Sequence, residues 1–139
     1  MTELIFKDES YRIVGACFAV YNDKGHAFTE PIYHECLEIE FAQLGLPFHS
    51  KPPITLTYRG RTLTHAFIPD FVCFERIVVE IKAVSTLTDE HRAQVINYVN
   101  AADFALGLLI NFGHFPKVQF ERYLPGQRPP KLSPSDIVL

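Results

Sequence analysis

Apolar positions along the chain recur with two periods, and the change from one to the other lays out the elements. From Ser10 to Asn22, Ile13, Val14, Cys17, Phe18 and Tyr21 stand at helical spacing, with Asp8 or Ser10 placed to cap the helix and Asp23-Lys-Gly25 to stop it. A second helix is predicted from Thr29 to about Leu44. Thr29 suits the N-cap, Pro31 the tolerant first turn, and Gly45 and Pro47 the end, with Phe28 stapled onto Tyr33. Its apolar stripe is Tyr33, Leu37, Phe41 and Leu44, broadened by Ile32, Cys36 and Ile39. Between Pro47 and Thr64 the period drops to two: Ile54, Leu56 and Tyr58 alternate with Thr55 and Thr57, and Arg59-Gly60 makes the turn of a β-ribbon.

The stretch Ile68 to Ala83 reads as two apolar strands, Ala66–Cys73 and Ile77–Val84, joined by a turn centred on Glu75. Residues Ile77, Val78, Val79, Ile81 and Val84 are apolar on both faces, the pattern of a central strand. Charge is expensive in such a strand, yet Glu80 and Lys82 share one of its faces. Antiparallel pairing about Glu75 sets Cys73 opposite Ile77 and Asp70 opposite Glu80, with directly opposed Cβ atoms about 5 Å apart. Two carboxylates that close repel unless a cation sits between them. A slip of one residue would turn Glu80 to the other face.

A third helix is predicted from Ser85 to about Ala102, with Thr86 and Asp89 as a capping box and Val95, Ile96 and Val99 as the core stripe. Gln94 and Tyr98, four apart, are neighbours on one flank with His91 a turn earlier. Ala105–Phe112 is a continuous apolar run of strand length, which a right-handed crossover lays parallel to Ile77–Val84. Val118, Phe120 and Arg122 continue as a final edge strand, before a Pro-rich tail from Pro125.

Composition narrows the class. A chain of 139 residues suits one domain with a single core, residues 1–124, followed by the tail 125–139. No apolar run approaches a membrane span, and the first residues lack the basic start and apolar core of a signal peptide, so a cytoplasmic protein is expected. Three widely spread cysteines, Cys17, Cys36 and Cys73, suit reduced core thiols, and His34-Glu-Cys36 lacks the spacing of a zinc finger. The net charge of -3 gives no bulk electrostatic footprint for nucleic acid. Arg59 and Arg61 at the ribbon tip, and Arg128 and Lys131 in the tail, are placed either to meet phosphates or simply to be solvated. Glu30, in the first turn of the second helix, suits the helix dipole; facing the active edge of the sheet, it would instead join the acidic cluster.

Pro69-Asp70 followed by Glu80-Ile81-Lys82 resembles the signature of the PD-(D/E)xK nuclease superfamily. Ile13-Val-Gly-Ala16, Lys24-Gly-His-Ala-Phe-Thr-Glu-Pro-Ile-Tyr-His-Glu-Cys-Leu37, Ile54-Thr-Leu-Thr-Tyr-Arg-Gly60, Gln94-x-x-x-Tyr98 and Gly107-Leu-Leu-Ile-Asn-Phe112 extend the likeness. Over roughly Ser10 to Tyr123 the chain is similar to the GxxExxY proteins, small bacterial proteins grouped with that superfamily; Ala27 stands where their naming glycine is expected.

The resemblance implies an α/β fold, a restriction-endonuclease-like mixed β-sheet of about five strands flanked by α-helices. It implies hydrolysis of phosphodiester bonds in nucleic acid, with DNA the expected form, using Mg²⁺ or Mn²⁺. Asp70, Glu80 and the backbone carbonyl of Ile81 would be metal ligands, with Glu30 completing or orienting the shell. Lys82 would position the attacking water or stabilise the transition state. Gln94, Tyr98 and Tyr33 would border the site or contact nucleic acid. Two other readings stay open: a silent module of the same fold that binds nucleic acid or a partner protein, and a structural or dimerisation module whose cluster is a buried ion-pair network. A homodimer is compatible with so small a core.

Overall fold

The computed structural model describes residues 5–127 and 133–136; Arg128 and Lys131 of the tail lie outside the described residues. In chain order the elements are α1 (Lys7–Lys24), α2 (Glu30–Gln43), β1 (Phe48–Ser50), β2 (Ile54–Tyr58), β3 (Arg61–Phe67), β4 (Phe71–Cys73), β5 (Ile77–Lys82), α3 (Asp89–Ala101), β6 (Leu106–Asn111) and β7 (Gln119–Tyr123), then a single helical turn at Pro134–Asp136. β1, β4, β5, β6 and β7 lie in that order in one mixed five-stranded sheet, while β2 and β3 form a separate ribbon. β5 and β6 are parallel, as expected of strands joined through a helix, and the other neighbours are antiparallel. No described helix is long and apolar enough to cross a membrane.

β5 is buried on both faces because helices cover both. Ile77, Val79 and Ile81 join Leu106, Leu108 and Ile110 of β6 against Ile13 and Cys17 of α1 and Tyr33, Leu37 and Phe41 of α2. Val78 and Leu109 point the other way, to Val95 and Val99 of α3. Period-two alternation then puts Glu80 and Lys82 on the α3 side of the sheet. α3 can come this close because β6 has a glycine under it: a Cβ at Gly107 would lie 2.5 Å from Val99 Cγ2 and 2.8 Å from Val95 Cγ1.

Several expectations need correction. The strand read as Ala66–Cys73 is two strands, broken at Ile68-Pro69-Asp70, since Pro69 has no N–H for a ladder. The fifth strand of the main sheet is β1, which falls in the stretch read as ribbon, and the ribbon itself stands apart. α1 starts at Lys7 with Phe6 in the left-handed region (φ 54°) as its N-cap, and neither Asp8 nor Ser10 caps it. α3 is capped by Thr88 rather than Thr86: the Thr88 hydroxyl accepts from His91 N–H, and the His91 ring accepts from Thr88 N–H. On α2, Ile32, Ile39 and Leu44 are exposed, so the stripe narrows to Tyr33, Leu37 and Phe41. The turn residues Phe74 and Glu75 both take positive φ, and the register Cys73↔Ile77 is the one counted from the sequence.

Two glycine substitutions should move stability in opposite directions. Gly107→Ala overpacks the α3–β6 contact and should cost about 1–3 kcal/mol. Gly15→Ala, in the open interior of α1 with nothing within 4 Å, should stabilise by about 0.5–1 kcal/mol. Urea unfolding measures both; a Gly107→Ala protein as stable as wild type would remove the close approach as a constraint.

Candidate active site

β4 and β5 pair from Cys73↔Ile77 to Phe71↔Val79, and one residue further the backbone ladder gives way to side chains. There the Asp70 N–H donates to Glu80 Oε1 at 2.7 Å, and the Ile81 N–H donates to Asp70 Oδ2 at 2.8 Å. Each carboxylate thus takes the place of a carbonyl acceptor at the end of the ladder, and the two acids are braced side by side. Glu80 is 5% exposed, and its second oxygen, Oε2, lies 4.0 Å from Lys82 Nζ.

Such crowding has an electrostatic consequence. Burial, with the neighbouring Asp70 charge second, pushes the Glu80 carboxyl from its ordinary 4.5 up to about 8, against the opposing pull of the Asp70 N–H and Lys82. Glu30, half-buried at the start of α2, is raised as well; burial is the main cause, Lys82 opposes it and Asp70 adds to it, so its carboxylate is within electrostatic reach of the pair. Tyr98 lies on the same side: burial and then the Glu80 charge raise its phenol, while a hydrogen bond from Gln94 Nε2 at 3.0 Å lowers it. The Tyr98 ring stacks on Phe67 at 4.5 Å, which ties α3 to the base of the ribbon.

Tyr33 stands elsewhere. Its ring is 0% exposed and stacks on Phe112 at 4.5 Å, while its hydroxyl donates to Gly25 C=O at 2.5 Å and accepts from Phe28 N–H at 3.2 Å. A side chain so enclosed braces the α1–α2 connection and offers no surface to nucleic acid, a correction to its expected place. Gly25 supplies the positive φ of that connection (75°), and Ala27 is not among the positive-φ residues, so the turn does not need a glycine at 27.

Two residues of the site were not read from the sequence. His34, one helical turn beyond Glu30, is buried behind Asp70: its Nδ1 is 3.4 Å from Asp70 Oδ1, its Nε2 is 2.8 Å from Ser50 Oγ, and its ring stacks on Phe71 at 4.2 Å. Its i+4 spacing from Glu30 was the available signal. Asn111 is fully buried in β6, in register with Lys82; its Oδ1 accepts from Val84 N–H and Gly113 N–H, each at 3.0 Å, and so pins the chain leaving β5. Its signal was a lone amide in an apolar run.

The sequence pattern of the PD-(D/E)XK nuclease superfamily matches residues 7–123. The chain belongs to that superfamily. No curated protein matches it in sequence. Among solved structures it is similar to the crystal structure of SSO0001, at 16% identity and a TM-score of 0.53, over 86% of this chain and 57% of that one. The present chain therefore spans little more than half of SSO0001, and the likeness is one of fold. Pro69-Asp70 and Glu80-Ile81-Lys82, the residues read from the sequence as the two halves of that motif, lie side by side at the end of the β4–β5 ladder.

Superfamily members generally use divalent metals such as Mg²⁺. Among the described residues no three His, Cys, Asp or Glu side chains come together as a metal site, so Glu30 does not close with Asp70 and Glu80 into a three-carboxylate shell. Two adjacent carboxylates, with the Ile81 carbonyl that the motif adds, would be the donor set, and the Glu80 carboxyl, raised to about 8, would give up its proton to a cation bound there. That set fits Mg²⁺, which keeps several waters and takes one or two carboxylates.

Without metal, the raised Glu80 pKa sets a pH dependence of stability. Between about 4.5 and about 8 the folded protein holds a proton that the unfolded chain has lost, so stability falls as pH rises through that window. In chelator, Tm should therefore decrease from about pH 5 to about pH 8, and Glu80→Gln should flatten the decrease. A slope unaltered in Glu80→Gln would assign it to other groups.

Proposed function

We propose that this protein is a metal-dependent nuclease that hydrolyses phosphodiester bonds of nucleic acid, with DNA as the substrate. The observation that carries this reading is the pair of buried Glu80 and half-buried Asp70, each held by a backbone N–H of the other's strand segment, with the Lys82 ammonium 4.0 Å from Glu80 Oε2. Superfamily membership supports a nuclease-type activity. The finer likeness to GxxExxY proteins, and residues 1–124 as the nuclease-like domain with 125–139 as its tail, belong to the same proposal. The three free cysteines suit a cytoplasmic setting, and a homodimer is compatible with it.

Asp70, Glu80 and the Ile81 carbonyl would hold Mg²⁺ or Mn²⁺, and Glu30 would act on the shell through water. When bound, the cation supplies Lewis acidity to the phosphoryl oxygen and makes hydroxide available near neutral pH. Lys82 places a fixed positive charge where the phosphorane oxygens gain negative charge, and orients the attacking water against the phosphate. Gln94 and Tyr98 present an amide and a phenol at the border of the site, suited to orienting a phosphate or Lys82. His34 places its otherwise unpartnered Nδ1 3.4 Å from Asp70 Oδ1, where it would restrain rotation of the carboxylate turned toward the cation. Serving this purpose, its role is one of positioning.

Labelled single-stranded, duplex and branched DNA, and RNA, incubated with Mg²⁺ or Mn²⁺, test the proposal. Cleavage of DNA by wild type should fall on the order of 10²–10³-fold or more in Lys82→Ala protein purified in parallel. Absence of cleavage from a folded, metal-loaded protein would replace the reading with a nuclease-fold module that binds without cutting. For His34, titration calorimetry with Mn²⁺ alone should show affinity reduced on the order of 10–100-fold in His34→Ala, with His34→Asn closer to wild type. An unchanged Kd in folded His34→Ala protein sinks the positioning role.

A further inference from the structure

The β2–β3 ribbon is an excursion that leaves and re-enters the fold at the active-site aspartate. β1 and β4 pair up to Ser50↔Phe71, and the next residue of β1's chain, Lys51, donates its N–H to the Asp70 carbonyl at 2.8 Å. Everything between Lys51 and Asp70 is therefore a closed loop rooted on Asp70. Its apolar anchor is at the base, where the paired Ile54 and Phe67 pack against the α3-side core. Beyond that the ribbon projects: β3 is exposed at every residue from Arg61 to Ala66, and Tyr58, Leu63 and Ile68 are exposed apolar side chains. Five residues of β2 give it a reach of about 17 Å. Leu63, Thr64 and His65 of β3 face the single Leu56 of β2, a bulge that bends the arm.

Its charge is as distinctive as its shape. From Lys51 to Pro69 there are three cations, Lys51, Arg59 and Arg61, and no aspartate or glutamate. The whole chain has 13 Lys and Arg against 16 Asp and Glu, so the remainder has 10 against 16, a net of -6 beside a segment at +3. Among the described residues none of the three cations pairs with a carboxylate. Thr55, Thr57, Thr62 and Thr64 add hydroxyl donors along the same two strands. An isolated two-stranded ribbon is marginal in water, and a cationic one beside a phosphodiester-cleaving site is matched in charge to one partner.

Resting on the nuclease reading, we propose that the β2–β3 ribbon is a phosphate-gripping arm, which holds the nucleic-acid backbone on the flank of Asp70 by sequence-independent contacts from Arg59, Arg61 and the ribbon hydroxyls. Cations and hydroxyls reaching phosphate position a nucleic acid without reading its sequence. The arm is rooted at Asp70, a member of the catalytic pair, so a backbone held by the arm lies on the flank of the carboxylates.

Fluorescence anisotropy of a labelled duplex and its single strand, in chelator so that nothing is cut, separates this proposal from catalysis. Arg59→Ala/Arg61→Ala should reduce duplex affinity on the order of tenfold and flatten the log Kd against log salt slope by about 1.8, for two phosphate contacts. Arg59→Glu/Arg61→Glu should lose more. Lys7→Ala, at the start of α1, should leave both unchanged, and all three variants should keep the wild-type Tm because the substituted side chains are exposed. Wild-type protein that binds neither strand form, or a double variant with unaltered affinity and slope, overturns the arm. So does a double variant that alters only self-association in sedimentation equilibrium, which would give the ribbon to a second copy of the chain. Ribbon-dependent binding by a protein that never cleaves keeps the arm and removes the nuclease reading.

Discussion

Where the β4–β5 ladder ends, two backbone N–H groups find carboxylates instead of carbonyls, and the exchange between Asp70 and Glu80 is the constraint on which the rest of the molecule turns. A hydrogen bond to a charged acceptor is worth about 1.5–3 kcal/mol, which offsets part of the cost of holding two acids together under cover. The offset is incomplete, since Glu80 is left with a carboxyl that prefers its proton near neutrality. A hairpin with this register therefore stores a demand for positive charge at one point. Lys82 meets part of it from within the strand, at 4.0 Å. On the proposed reading, a divalent cation would meet the remainder.

The elements around the pair are fitted to keep that point stiff. α3 closes one side of it only because Gly107 lets Val95 and Val99 down onto β6. From the other side α2 sends His34 through to Asp70, with Ser50 of β1 fixing the far nitrogen of the ring. Asn111 ties the exit of β5 to the exit of β6, and the two strand ends pass so close that a Cβ at Gly113 would lie 2.4 Å from the Val84 backbone. Each support comes from a different element, and each acts on the same pair of strand ends.

Legibility in the sequence follows the range of the interaction. The facing of Asp70 and Glu80 could be counted, because a hairpin turn and a period of two determine register without any tertiary information. The parallel placement of β6 was equally open, as it needs only a helix between two buried strands. The break before β4 was written in Pro69 but lost in an apolar run. His34 was invisible in its role, since Ser50 and Asp70 lie 16 and 36 residues away and no local pattern brings three such positions together. Tyr33 erred the other way: its motif suggested the site, while its helical spacing with Leu37 and Phe41 already placed it in the core stripe. The Thr88 cap was displaced from Thr86 because Leu87 is drawn into the α3-side core, which moves the first turn two residues along.

A net charge of -3 argued against a polyanion partner only while charge was treated as one number. Divided along the fold, Glu80 is buried and Asp70 half-buried under their own hydrogen bonds, so the pair contributes less to the field outside than exposed carboxylates do. The cations of the ribbon are exposed and unpaired among the described residues, and they contribute nearly all of theirs. Screening at physiological salt acts over about 8 Å, so a phosphate close to the ribbon tip responds to Arg59 and Arg61 more than to carboxylates further away on the helices. An acidic pair and a cationic ribbon are then not in conflict. On the proposed reading, the pair would engage a phosphate through a bound metal, and the ribbon would hold the backbone near enough for that engagement.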